Sequence, residues 1–100
     1  MTKWRYELPN RGIVEGELPE DEQEIAYLDF IHTLVKGNGL GTELLRIFEK
    51  AAIEAGAIYI QGIIGTFDDT DPEKLISFYK KNGYEVRYID GDLPVIEKKL

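Results

Sequence analysis

Between Val35 and Leu45 the chain places three glycines on alternate positions, Gly37, Gly39 and Gly41, and then enters an apolar series at helical spacing. A loop of such free backbone opening straight into a helix leaves few architectures available. The preceding stretch, Glu24 to Leu34, is rich in β-branched and aromatic residues and nearly continuous in apolar character, so the unit reads as strand, glycine loop, helix. The first helical N–H groups have no intrahelical partner, and the helix dipole puts partial positive charge at the same end. With Lys36 beside them, the stretch predicts an anion cradle.

The rest of the chain falls into place around that unit. Lys3 to Leu8 and Ile13 to Leu18 alternate with the period of a half-buried strand, and Pro9-Asn10-Arg11-Gly12 and Pro19-Glu20-Asp21-Glu22 supply turns, which predicts a meander. Glu24–Leu34 is expected as the central strand, buried on both faces. Leu40, Leu44, Leu45, Phe48, Ala51, Ala52 and Ala55 mark one apolar face of a helix, with Gly56 as its stop. Ala57–Phe67 reads as a second apolar strand, parallel to the first through a right-handed crossover. Asp71-Pro72 is an N-cap followed by proline at the first helical position, and Lys80-Lys81-Asn82-Gly83 ends that second helix. Tyr84–Tyr88 and Leu93–Lys99 complete the chain as a hairpin.

Composition narrows the function. One hundred residues suit a single α/β domain spanning 1–100, with 43% hydrophobic residues to build one core. No apolar run is long enough to span a membrane and no signal-like segment opens the chain, so the expectation is a cytoplasmic protein. The absence of cysteine removes disulfides and thiolate chemistry, and one histidine, His32, leaves no histidine-rich metal site, so no metal is expected. A net charge of −7 argues against direct nucleic-acid binding. Between Arg11 and Lys36 no Lys or Arg occurs, while Glu15, Glu17, Glu20, Asp21, Glu22, Glu24 and Asp29 fall in that gap. Such a stretch is either a solvated acidic surface or a face for a cationic partner.

Two motifs in order resemble one family. Lys36-Gly37-Asn38-Gly39-Leu40-Gly41-Thr42 is similar to the pyrophosphate loop of the GNAT superfamily of acyl-CoA N-acyltransferases, placed as there between the central strand and a helix. Leu75-Ile76-Ser77-Phe78-Tyr79-Lys80-Lys81-Asn82-Gly83-Tyr84 resembles the family's second, Phe-Tyr-containing segment. Neither a P-loop nor a complete Gly-x-Gly-x-x-Gly fingerprint is present. The resemblance implies a mixed central sheet with two main helices, lacking the usual N-terminal strand and helices. It extends to short forms found in phage and mobile elements, among them an anti-CRISPR acetyltransferase.

What the resemblance implies for the site can be stated residue by residue. Acetyl-CoA is the co-substrate, its diphosphate on Lys36, Gly37, Asn38, Gly39, Leu40, Gly41 and Thr42, its pantetheine arm along Phe30, Ile31 and His32 where two parallel strands splay, with Ser77 nearby. Tyr79 matches the family's acid for the departing thiolate, and a backbone N–H near Ile31 polarises the carbonyl. The base is open between Glu24, which lies near the family's catalytic glutamate in lysine-directed members, and Asp29, nearer the transfer point; His32 is a further candidate more in keeping with the scaffold. Without cysteine, the acetyl group passes directly to the amine in a ternary complex.

The departures concern the acceptor. Elements that help form its pocket in the family are missing here, and Pro72 stands where many members carry asparagine. An open acidic cleft suits a lysine on a protein surface better than an enclosed small molecule. A small amine or polyamine is the alternative substrate. A non-catalytic protein that blocks a basic or nucleic-acid-binding partner with its acidic face is the alternative of a different class. The missing elements would leave a sheet edge or apolar face, which favours a homodimer, while the acidic early strands could equally protect an edge by charge.

Overall fold

The computed structural model describes residues 1–34, 38–64, 71–91 and 93–100. The alternating segments form strands β1 (Thr2–Leu8) and β2 (Gly12–Leu18), which pair antiparallel across a turn closed by the amide of Arg11 on the carbonyl of Leu8 at 2.9 Å. β3 (Ile25–Thr33) continues the meander against β2. After the glycine stretch come α1 (Leu40–Glu54), β4 (Tyr59–Ile63), α2 (Pro72–Lys81), β5 (Glu85–Ile89) and β6 (Leu93–Lys99). The six strands form one mixed sheet in the order β1-β2-β3-β4-β6-β5, with β3 and β4 parallel. Among the described residues, no helix is long and apolar enough to cross a membrane.

The helix boundaries follow from their caps. The carboxylate of Asp71 accepts a hydrogen bond from the amide of Glu73 at 3.0 Å and Pro72 opens α2, while Gly56 (φ 92°) and Gly83 (φ 92°) follow the two helices in the left-handed conformation that stops them. Leu40, Leu44, Leu45, Phe48 and Ala52 are buried along α1 and meet Val14, Ala26, Leu28, Ile60 and Ile96 from the sheet. Gly16 of β2 makes room for this packing: a β-carbon there would lie 2.5 Å from the ring of Phe48.

Both helices lie on one side of the sheet, giving a slab of 37 × 36 × 20 Å. The crossovers β3-α1-β4 and β4-α2-β5 advance in the same direction across the strand order, and right-handed crossovers that do so put their helices on the same face. This corrects the expectation that 24–34 is buried on both faces. Ala26 and Leu28 are buried beneath the helices, whereas Tyr27 and Asp29 are exposed on the helix-free side. The second apolar strand is also shorter than the expected 57–67: β4 ends at Ile63, and 65–67 lie outside the described residues.

Candidate functional site

The distinctive feature of the sheet is where β3 and β4 part. Their parallel ladder runs from Ile25↔Tyr59 to Leu28↔Gly62 and stops. β3 stays with β2 as far as Thr33↔Gly12, whereas β4 follows β6, through Ile63↔Val95 and the amide of Ile64 on the carbonyl of Pro94 at 2.9 Å. A bulge helps the divergence: Gly16 opposes Leu28 and Glu15 opposes Phe30, so Asp29 is the extra residue. Gly62 belongs to the last rung because a β-carbon there would meet the carbonyl of Leu28 at 2.8 Å.

The opening is a cleft of ≈ 50 Å³, walled by Asp29, Phe30, Ile31 and His32 of β3 and by Ile63 and Ile64 on the β4 side, with Leu75 and Tyr79 of α2 against it. The structure therefore brings together four of the residues singled out in the sequence on β3 with Tyr79. Tyr79 is 6% exposed, its ring set edge-on to Phe78 and Tyr84 at centroid distances of 5.1 and 5.6 Å.

The described part of the glycine stretch, from Asn38, opens α1 and approaches α2 at Gly41. Gly39 is the N-cap at φ 78°, a conformation that disfavours any side chain, and a β-carbon on it would point into open space. The N-cap glycine has no side chain to cap the helix, but the Oδ1 of Asn38 accepts from the amide of Leu40 at 3.3 Å, and the first helical hydrogen bond runs from the amide of Glu43 to Gly39 at 3.0 Å. The amides of Gly41 and Thr42 thus precede that first bond. Gly41 lies against Phe78 of α2. Lys36 and Gly37 lie outside the described residues. Ser77 is exposed on α2, apart from the residues that wall the cleft.

Of the two carboxylates considered as a base, only Asp29 reaches the cleft. Although the residue is largely exposed, partial desolvation against the cleft pushes its carboxyl above the usual aspartate range, and Glu17 and then Glu15 add to the shift against the opposing charge of Lys3. Glu24 does not fit the role expected of it. It precedes β3 at the far end of the β3–β4 pairing, is exposed, and its carbonyl accepts the amides of Ile58 and Tyr59 at 2.7 and 3.1 Å, tying down the return from α1. Among the described residues no cluster of His, Asp and Glu could hold a metal ion.

Sequence reasoning overlooked Glu49, a buried carboxylate in α1 that accepts from Arg46 Nη1 at 2.6 Å, Tyr84 Oη at 2.8 Å and Lys98 Nζ at 3.1 Å. Burial, with the adjacent Glu49 charge, holds the Tyr84 phenol far above its ordinary pKa. The signal was present: Glu49 sits between Leu45 and Ala52 on the apolar stripe, where a carboxylate needs partners.

On the helix-free side a broader hollow of ≈ 630 Å³ faces solvent, lined by Tyr27, Phe30, Ile63, Ile89 and Val95 with Lys3, Glu15, Asp29 and Gln61. Asp29 and Phe30 border both spaces, so the cleft beneath the helices and the hollow on the opposite face meet at the bulge.

No protein-family model and no curated protein matches the sequence. Solved structures do. The chain is similar to the anti-CRISPR protein AcrVA5, with a TM-score of 0.76 and 26% identity over 95% of this chain and 98% of that one. It is similar to an acetyltransferase from Bacillus cereus (TM-score 0.75, 24% identity, 98% of this chain and 73% of that one). It also matches the PaiA N-acetyltransferase of Thermoplasma acidophilum in complex with coenzyme A (TM-score 0.72, 24% identity, 90% of this chain), of which it spans only 54%. The chain therefore has the GNAT-like fold that the sequence resemblance implied, and it aligns with AcrVA5 over nearly the whole of both chains.

Proposed function

We propose that this protein is an acetyl-CoA-dependent N-acetyltransferase whose acceptor is a primary amine, most readily a lysine on the surface of another protein. The observation that carries the reading is the end of the β3–β4 ladder at Leu28↔Gly62, with Tyr79 of α2 against the opening. The residues fit the co-substrate. The N-cap Gly39 leaves space where a side chain would stand, the Gly41 and Thr42 amides precede the first helical bond, and the parted strands offer an extended groove. The relative solved with coenzyme A has the same fold.

Acetyl-CoA supplies an activated thioester carbonyl. The chain's own residues handle protons and position. Once the lysine ammonium has released one proton to solvent, the neutral amine attacks the carbonyl, and Asp29, whose carboxyl desolvation holds above the usual aspartate range, takes the second proton as the C–N bond forms. Tyr79 gives a proton to the sulfur as the C–S bond breaks, and solvent returns the balance between the two groups. The amine arrives from the helix-free face: Tyr27, Phe30 and Ile63 suit the aliphatic stem of a lysine and the carboxylates of Glu15 and Asp29 suit its ammonium. Among the described residues no helix covers that face, which leaves the bulge open to a lysine carried on a folded surface.

Release of free thiol from acetyl-CoA, measured with lysine-containing peptides and with spermidine, tests this reading. Turnover with peptides supports it, and turnover with spermidine alone would move the acceptor to small amines. No turnover with either, together with complex formation on a basic protein that ignores acetyl-CoA, would replace it by a non-catalytic binding role.

A further inference from the structure

Glu49 takes no part in the chemistry proposed above, yet it is a carboxylate only 7% exposed. Such a group persists when its lone pairs are met, and here three donors converge from three parts of the chain. Each donor leads to the end of α2 that carries Tyr79. Tyr84, whose phenol donates to Glu49, also donates its amide to the carbonyl of Tyr79 at 3.0 Å and sets its ring edge-on to the Tyr79 ring. Arg46 reaches from Glu49 to the Oδ1 of Asn82 at 3.1 Å, and the Nδ2 of Asn82 donates to the carbonyl of Phe78 at 2.8 Å. Lys98 donates both to Glu49 and to the carbonyl of Asn82 at 3.2 Å, with its ammonium 5.4 Å from the centre of the Tyr84 ring. The last turn of a helix has carbonyls that need outside donors. At the end of α2 the backbone amides of Asn82 and Gly83 supply part of the need, and the further donors, the Tyr84 amide, the Asn82 side chain and Lys98, belong to groups tied to one buried carboxylate of α1.

We infer that Glu49, acting through Tyr84, is a positioning residue for Tyr79: it locks the final turn of α2 onto α1 and so sets where the Tyr79 phenol stands in the cleft. The inference rests on the reading of Tyr79 as the acid. It implies that the helix whose first turn faces the donor's diphosphate also fixes the group that serves the donor's sulfur.

The test is a cycle in the full-length protein. Tyr84→Phe removes one oxygen and leaves the ring, and Glu49→Gln keeps the shape while removing the charge. For each variant, alone and combined with Tyr79→Phe, kcat and KM for acetyl-CoA are measured with a lysine peptide at a temperature below every melting transition. Expected are a fall in kcat of about five- to tenfold for Tyr84→Phe with KM within about twofold, and no further fall when Tyr79 is already Phe. Glu49→Gln should do the same; if it does not fold, Tyr84→Phe carries the test. An equal fractional loss with and without Tyr79→Phe, or no loss from Tyr84→Phe in the otherwise wild-type protein, overturns the inference while leaving Tyr79 as acid. Full turnover by Tyr79→Phe alone removes the acid assignment itself, and the inference with it.

Discussion

Gly41, in the first turn of α1, lies so close to Phe78 of α2 that a β-carbon on it would stand 3.3 Å from Cε1 of that ring. The two sequence motifs that point to an acyl-CoA protein are therefore in contact. A β-carbon on Gly41 would point at Phe78, while its amide is among those ahead of the first helical hydrogen bond, so pushing this turn off the ring shifts that amide. In Gly41→Ala the gain in helix propensity of about 1 kcal/mol opposes the displacement of Phe78, so Tm should move by only a few degrees. Affinity for acetyl-CoA should fall by about tenfold, a loss of ~1.4 kcal/mol. Calorimetric titration checks this, and unchanged affinity would remove Gly41 from the donor site.

Gly16 makes a harder prediction about stability. A β-carbon there meets the Phe48 ring and the carbonyl of Tyr27, each at 2.5 Å, and neither the buried ring nor the backbone of β3 can withdraw freely. Gly16→Ala should destabilise the protein by about 1–3 kcal/mol, with Tm falling by roughly 4–8 °C for each kcal/mol. Thermal unfolding followed by circular dichroism decides the point; a Tm within a degree of wild type would mean that α1 does not sit where Phe48 places it.

Asp29 should show opposite effects on stability and activity. Its folded-state pKa is raised, so on increasing pH the unfolded chain loses the proton first, and stability falls from the ordinary aspartate value up to the raised one. Above that window the loss is complete; below it the two states are equally protonated and nothing is lost. Asp29→Asn should therefore be at least as stable as wild type at pH 7, with the advantage vanishing in acid, while turnover drops by about 10²-fold or more. Melting curves at the two pH values, set beside the turnover measurement, check both halves. Reduced stability at pH 7 would show that Asp29 is a structural carboxylate.

Much of this was legible in the chain because it is local. Alternation marked β1 and β2, the Asp71-Pro72 cap marked the start of α2, and Gly56 and Gly83 marked two helix ends. The burial of 24–34 was misread because apolar content alone cannot tell which faces a sheet will have covered. The answer lay in the direction of two successive crossovers, a property of strand order. The bulge at Asp29 and the Glu49 network were hidden for a related reason. Each needs partners distant in sequence, Glu15 and Gly16 for the first and Tyr84 and Lys98 for the second. Resemblance put Glu24 beside Asp29 as a candidate base, and only strand pairing separates them, since Glu24 stands at the paired end of β3 and β4 and Asp29 at the parted end.

In the proposed enzyme the glycine-led start of α1 and the parted strands form one donor site. Titration calorimetry of acetyl-CoA into the wild-type protein and into Gly39→Glu tests that most directly. The predicted result is saturable binding at about one per chain for the wild type, and none for the variant, where a charged side chain would enter the open space beside the N-cap. Absence of saturable binding to the wild type, or equal affinity in Gly39→Glu, would contradict it.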